Sequence, residues 1–302
     1  MSDYHSPVLL EQSLEGLAVN PQGTYVDVTF GGGGHSRAIL QALGAEGRLL
    51  AFDRDADALA NTIDDPRFTL IHEDFRYMKN FLRLNGVSCV DGILADLGVS
   101  SHQFDQADRG FSTRFDAELD LRMDRRQTTT AKDIVNTASE EELRDILNNY
   151  GELPNAHRMA RAIVSARAEA PILTTFDLKK ALESNIPRNQ ENKFYAMVFQ
   201  ALRIEVNGEL EALKAMLTQA VEMLNPGGRL VVISYHSLED RLVKNIIKTG
   251  NFEGEVKKDF YGNLLSPLKP VTRKPIVADA EELMENPRSR SAKLRVAEKK
   301  QQ

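Results

Sequence analysis

Cysteine is almost missing from this chain: Cys89 is the only one among 302 residues. A single thiol excludes an internal disulfide framework and any zinc site built from several thiolates. Long apolar runs are missing too. None approaches the roughly 18–20 residues of a membrane span, and Met1–Glu15 has neither the basic start nor the apolar centre of a secretory signal. A soluble, cytoplasmic protein is therefore expected. No lysine occurs before Lys79, so the glycine-rich stretch near the N-terminus lacks the G-K-[ST] ending of a P-loop, which weighs against an ATPase or GTPase. Nor is positive charge in excess. With 38 Lys plus Arg against 44 Asp plus Glu, the formal net charge is −6. That balance argues against wholesale coating of a polyanion but leaves room for a local basic surface.

The charge that is present is uneven. Residues 1–100 carry 7 basic and 14 acidic side chains, whereas 269–302 carry 9 and 5. An acidic front and a basic tail suit a small-molecule site joined to a surface that meets phosphates; a solvated lysine-rich terminus accounts for the tail equally well. A hydrophobic content of 42% is enough to bury one large core or two smaller ones.

The first hundred residues alternate in pattern. Strands are predicted at Thr24–Phe30, Arg48–Phe52, Phe68–Ile71 and Val90–Leu94, with helices at Ser36–Leu43, Asp57–Ile63 and Tyr77–Leu84. This rhythm implies a parallel sheet wound by right-handed crossovers, and near-continuous apolar strands imply that both its faces are covered. From about Ser101 to Arg203 the pattern turns helical and polar. Ser139-x-x-Glu142 is a capping box, Ala156–Ala168 a second helix, and Thr174-x-x-Asp177 opens a third. Alternation then resumes with an amphipathic helix carrying Leu210, Leu213, Leu217, Ala220 and Leu224, a turn at Asn225–Gly228 and a buried strand at Arg229–Ser234. A helix at Glu239–Ile247 follows, residues 250–290 read mostly as loop, and Ala292–Ala297 suits a closing edge strand. No internal repeat is visible. The expected architecture is α/β, a Rossmann-like doubly wound domain formed by 1–104 plus 205–302, with an all-helical insertion over 105–204.

The glycines Gly31–Gly34 sit between the first strand and the first helix. There they allow positive φ and a close approach to a ligand, beside the unpaired N–H groups of a helix start. Asp53 ends the second strand, about 20 residues beyond Gly33, the offset at which an acid meets a ribose diol in nucleoside-binding folds. It reads otherwise as a helix cap. Two cofactors fit. A dinucleotide needs G-x-G-x-x-G, but Gly31-x-Gly33-x-x-Arg37 puts arginine where the third glycine allows close helix–strand packing. The pattern therefore favours S-adenosyl-L-methionine over NAD.

Longer words carry more. Asp27-Val-Thr-Phe-Gly-Gly-Gly-Gly-His-Ser36, Ala51-Phe-Asp-Arg-Asp55 and Gly92-Ile-Leu-Ala-Asp-Leu-Gly-Val-Ser-Ser101 resemble signature stretches of the RsmH (MraW) family. So do Arg109-Gly-Phe-Ser112, Leu119-Asp-Leu-Arg-Met-Asp124, Gly227-Gly-Arg-Leu, Ser234-Tyr-His-Ser-Leu-Glu-Asp-Arg241 and Asn286-Pro-Arg-Ser-Arg-Ser291. Members are bacterial methyltransferases that modify N4 of a cytidine in the decoding region of 16S rRNA. The resemblance implies a class I S-adenosyl-L-methionine-dependent fold, rRNA within the small ribosomal subunit as partner, and an insertion that recognises RNA. It also implies a cofactor site in which Gly33, Gly34 and His35 cradle the methionine part, Asp53 takes the ribose, Phe75 packs near the adenine, and Asp96 and Gln103 complete the pocket. Apart from the family, Phe75 reads equally well as core and Gln103 as an ordinary loop residue.

Methyl transfer to an exocyclic amine is an in-line displacement, so placing the nitrogen behind the methyl is the main task. The N4 lone pair is delocalised into the ring, and a nearby acceptor would help localise it. Asp96 is chemically suited, although the cofactor competes for it. His236 follows the strand Arg229–Ile233 and reads either as a contact to base or phosphate or as a structural histidine. The catalytic group is left open between these two. A carbon-5 route needs an attacking thiolate, and Cys89 precedes the fourth strand rather than ending it. No metal is expected, because no His/Cys/Asp set has zinc spacing. Arg158, Arg161, Arg167, Lys179 and Lys180, and at the tail Arg288, Arg290, Lys293 and Arg295, suit phosphate contacts or plain solvation. A nicotinamide-dependent oxidoreductase and a ribosome-assembly factor without chemistry remain the competing readings.

Overall fold

The structure, a computed structural model, describes residues 7–301 and divides into two compact units, Met1–Gly98 with Leu210–Gln302, and Val99–Glu209. The first unit holds β1 (Thr24–Asp27), β2 (Arg48–Phe52), β3 (Phe68–Ile71), β4 (Val90–Asp96), β5 (Leu224–Ser234), β6 (Leu268–Pro270) and β7 (Lys293–Lys299). They form one sheet in the order β3-β2-β1-β4-β5-β7-β6. The first five strands are parallel, and β7 runs antiparallel to both β5 and β6. This is the Rossmann-like doubly wound α/β sheet, with its winding direction reversing between β1 and β4, where ligand crevices form.

Strand chemistry explains the burial. Leu49, Ile93 and Val231 have neighbours Leu50, Leu94 and Val232 that are equally buried, because both faces of the parallel sheet are covered. Successive residues enter opposite cores. Leu50, Ile93 and Val232 join the core that holds Leu213, Met216 and Leu217 of the helix Glu209–Met223. Leu49, Leu94 and Val231 join the one that holds Leu17 and Ile39. Alternation at period two thus survives inside runs that read as uniformly apolar.

Three local expectations are corrected. The C-terminal strand is internal: β7 lies between β5 and β6, and the edge is the three-residue β6. Pro270 in that strand suits an edge, where a missing N–H costs no ladder bond. Residues expected as the helix Asp57–Ile63 form a tighter 3₁₀ turn, Ala56–Asn61, capped by the Asp55 carboxylate, which accepts from the Asp57 N–H at 3.2 Å. The Asn225–Gly228 turn is a bulge within β5, where the register against β4 shifts between Val90 and Gly92. The helix Leu10–Leu17 lies where none is expected, and Glu191–Asn207 is a helix within the stretch read as helical, with bounds that were not anticipated.

The second unit is helical. Capping boxes stand at Ser139/Glu142 and Thr174/Asp177, and also at Thr130/Asp133. Leu143, Leu147, Met159, Ile163, Leu178, Val198 and Leu202 fill its core. Two buried polar side chains knit its irregular segment. Asn207 accepts from the Met123 N–H (2.8 Å) and donates to the carbonyls of Leu121 (2.8 Å) and Arg203 (2.9 Å). The buried Arg109 guanidinium donates to the carbonyls of Arg122 (3.0 Å) and Met123 (3.1 Å). The Arg109–Ser112 and Leu119–Asp124 words therefore spell a structural staple.

Candidate active site

The C-terminal ends of β1, β2, β4 and β5 carry Asp27, Asp53, Asp96 and Ser234, with Asp53 one residue beyond its strand. After β1 the chain turns through the glycines, with φ of +50° at Gly31 and +75° at Gly33. Gly33 is required twice over: a Cβ there would lie 2.8 Å from the Phe30 ring, and the left-handed backbone disfavours any side chain. It precedes the helix Gly34–Ala42, whose start no side chain caps, so its first N–H groups point into the turn. Arg37, the departure from the dinucleotide pattern, pins this loop by donating to the carbonyls of Gly32 (2.6 Å) and Asn61 (3.2 Å).

Asp53 is tied to the same loop. One carboxylate oxygen accepts from the Gly31 N–H and the other from the Asp55 N–H, both at 2.8 Å. Desolvation outweighs these donors and pushes its pKa up to about 6. A carboxylate has about four lone-pair sites. Two are taken, one on each oxygen, so each oxygen keeps one for a pair of vicinal hydroxyls.

Asp96 ends β4. Its Oδ1 accepts from the Tyr235 hydroxyl at 2.7 Å, and its Oδ2 lies 3.9 Å from Nδ1 of His35. Burial raises its pKa to about 6, against the pull of His35 and Tyr235. The Nε2–H of His35 donates to the Val8 carbonyl at 3.1 Å, which aims the ring's other nitrogen at Asp96. Beneath them the buried Asp27 accepts from the Ser36 hydroxyl (2.7 Å) and the Thr29 N–H (3.0 Å), and Thr29 in turn accepts from the Asp96 N–H (2.7 Å). Tyr235 has its own phenol pushed well up by burial and by Asp96, so it stays a donor. Gly98, at φ +105°, lets its ring approach: a Cβ there would sit 3.2 Å away.

The structure thus brings Gly33, Gly34, His35, Asp53 and Asp96 to one end of the sheet. Phe75 opens a 3₁₀ turn, Phe75–Tyr77, past β3 and is half-buried against the sheet core. His236 follows β5, with Nε2 3.2 Å from Oε1 of the buried Glu239. The other Glu239 oxygen accepts from the Tyr235 N–H at 2.9 Å. Gln103 belongs to the second unit, where it completes a capping box with Ser100 on the helix Ser101–Asp105. Tyr235, Asp27 and Glu239 escape the sequence reading as site residues, although each stands in a quoted word. A charged residue closing an apolar strand was the available signal for Asp27.

An acid for a ribose diol, a glycine cradle at an uncapped helix start, and carboxylates able to face sulfonium and ammonium charge fit S-adenosyl-L-methionine. A pyrophosphate in the glycine turn would lie beside Asp53, whose carboxylate holds the Gly31 N–H, an unfavourable pairing of like charges.

Comparison with known proteins agrees. A model of the MraW methylase family matches residues 2–300. The chain is 58% identical to the ribosomal RNA small subunit methyltransferase H of Flavobacterium johnsoniae over 297 residues, covering 98% of each chain. The protein of the same name from Bacteroides fragilis is also 58% identical over 98% of each chain, and that from Cytophaga hutchinsonii is 57% identical over 98% of this chain and 99% of its own. Matched across almost its whole length, the chain belongs to the MraW methylase family, a family of S-adenosyl-L-methionine-dependent methyltransferases.

Proposed function

We propose that this methylase transfers a methyl group to N4 of a cytidine in the decoding region of 16S rRNA, in the small ribosomal subunit and in the cytoplasm. The observation that carries the reading is the 58% identity, over 98% of both chains, to relatives named for ribosomal RNA small subunit methylation. The choice of N4 and of the decoding region rests on the RsmH words of the sequence. The bound cofactor supplies a methyl activated on a sulfonium. Gly33, Gly34 and His35 hold its methionine part, Asp53 both ribose hydroxyls, and Phe75 the adenine.

Asp96 is the proton acceptor in this reading. With a pKa of about 6 it is mostly ionised at neutral pH, accepts a hydrogen bond from the amino group, and takes its proton as the nitrogen–methyl bond forms. Tyr235 fixes the rotamer of Asp96, and Glu239 positions the neighbouring backbone by accepting from the Tyr235 N–H. The helical unit is the RNA-recognition element. Arg158, Arg161 and Lys180 are exposed there, and an open groove of about 420 Å³ is lined by His157, Arg158, Arg161 and Asn185. Arg167 is instead spent on the Val135 carbonyl (2.8 Å), and in the tail Arg295 on Asp240 (2.6 Å). Mass mapping of 16S rRNA from cells lacking this chain tests the reading. One decoding-region cytidine should lose a methyl group and regain it when the gene is restored; an unchanged pattern overturns the proposal.

A further inference from the structure

Residues 256–265 form a small hairpin that the site does not use. Lys258 and Leu264 pair in an antiparallel bridge, and the Leu265 N–H donates to the Lys257 carbonyl at 2.9 Å. The turn is internally braced. The Asp259 carboxylate accepts from the N–H groups of Tyr261 (2.9 Å) and Asn263 (2.8 Å) and from the Asn263 side-chain amide (3.0 Å), and Gly262 takes φ +87°. At its tip Phe260 is 97% exposed and Tyr261 86%. The two rings stand edge to face, 5.6 Å apart at 87°.

Two adjacent aromatics this bare on a braced turn are costly to leave in water. Cations surround their base. Lys257 and Lys258 are exposed on the hairpin itself, and the Lys300 ammonium reaches the Leu264 carbonyl at 3.5 Å. The one carboxylate of the turn, Asp259, is occupied by its three internal donors, and Glu255 is the nearest other acid along the chain. The flanks of the hairpin also expose Val256, Leu264 and Leu265, but the cations at the base of the rings decide the class of partner. Rings above lysines match the chemistry of unpaired nucleotides, with bases stacking on π-faces and ammonium groups meeting phosphates.

We infer that the Phe260–Tyr261 tip is a stacking platform for unpaired bases of the RNA substrate, with Lys257 and Lys258 contacting its backbone. The inference rests on the proposed rRNA function and adds a contact in the sheet-bearing unit. Because the chain has no tryptophan, Tyr261→Trp places a single indole reporter at the tip. Titration with a single-stranded RNA dodecamer should quench its emission, more weakly at high salt, while the same sequence as a duplex should not. The Phe260→Ala/Tyr261→Ala enzyme should show a KM for small subunits raised about tenfold per lost stack, with kcat, adenosylmethionine affinity and thermal melting unchanged. Phe260→Tyr should preserve the wild-type KM. Equal quenching by duplex, quenching by ribosomal proteins but not RNA, or an unchanged KM would overturn the inference. A wild-type chain that methylates no rRNA would instead refute the function, and the indole titration would still decide the platform.

Discussion

The Tyr235 hydroxyl donates to the Asp96 carboxylate across 2.7 Å, joining the end of β5 to the end of β4. This bond opposes the desolvation that lifts Asp96 to about 6. It therefore favours the ionised form of the acid.

Tyr235→Phe removes that donor while keeping the ring over Gly98. A hydrogen bond to a charged acceptor contributes about 1.5–3 kcal/mol, so the Asp96 pKa should climb by roughly one unit or more. In the proposed mechanism activity needs the ionised form, so the acid limb of the kcat/KM profile should move to higher pH with kcat reduced at pH 7. A pH–rate profile that overlays the wild type would remove Asp96 from the role of proton acceptor.

Cofactor affinity should fall with acidification. In the proposed site Asp53 binds the ribose as a carboxylate, so ligand binding favours ionisation and weakens as pH drops through about 6. Calorimetry between about pH 5 and 8 should show adenosylmethionine affinity flat at the alkaline end and falling up to about tenfold per unit at the acid end. Asp53→Asn should bind poorly throughout, with any remaining pH dependence belonging to Asp96. A wild-type affinity independent of pH would contradict the ribose assignment.

Asn207→Leu should destabilise the helical unit by about 2–4 kcal/mol, because it removes the side-chain hydrogen bonds to the buried Met123 N–H and Leu121 carbonyl. A lowered urea midpoint for loss of helical circular dichroism would report it. A midpoint equal to wild type would mean that water satisfies both groups.

Legibility followed the range of the interactions. β2 and β3 match their expected limits because short apolar runs are bounded by Asp53 and His72. The capping boxes at Ser139 and Thr174 were readable because cap and partner lie three residues apart. The bounds of the helix Glu191–Asn207 were not. Phe194, Tyr195, Val198, Phe199, Ala201 and Leu202 are all buried and blur any single apolar stripe. β6 has three residues, and only its pairing with β7 defines it as a strand. Within the site, Gly33 and Asp53 stood out because glycines and a carboxylate end apolar strands, whereas Asp96 came with the family resemblance. Tyr235 did not: its partner lies 139 residues away, and no local spacing announces such a bond.

The break in the sheet-forming sequence between β4 and β5 also sets an order of synthesis. Every residue of Val99–Glu209 leaves the ribosome before β5, β6 and β7 exist, so the nascent helical unit has its whole core available while β4 still lacks one neighbour. Ile93, Leu94 and Ala95 must wait along that unpaired margin, the kind of edge at which incomplete chains associate wrongly. The bond between Asp96 and Tyr235 accordingly forms late, since the acid is made long before its hydroxyl partner.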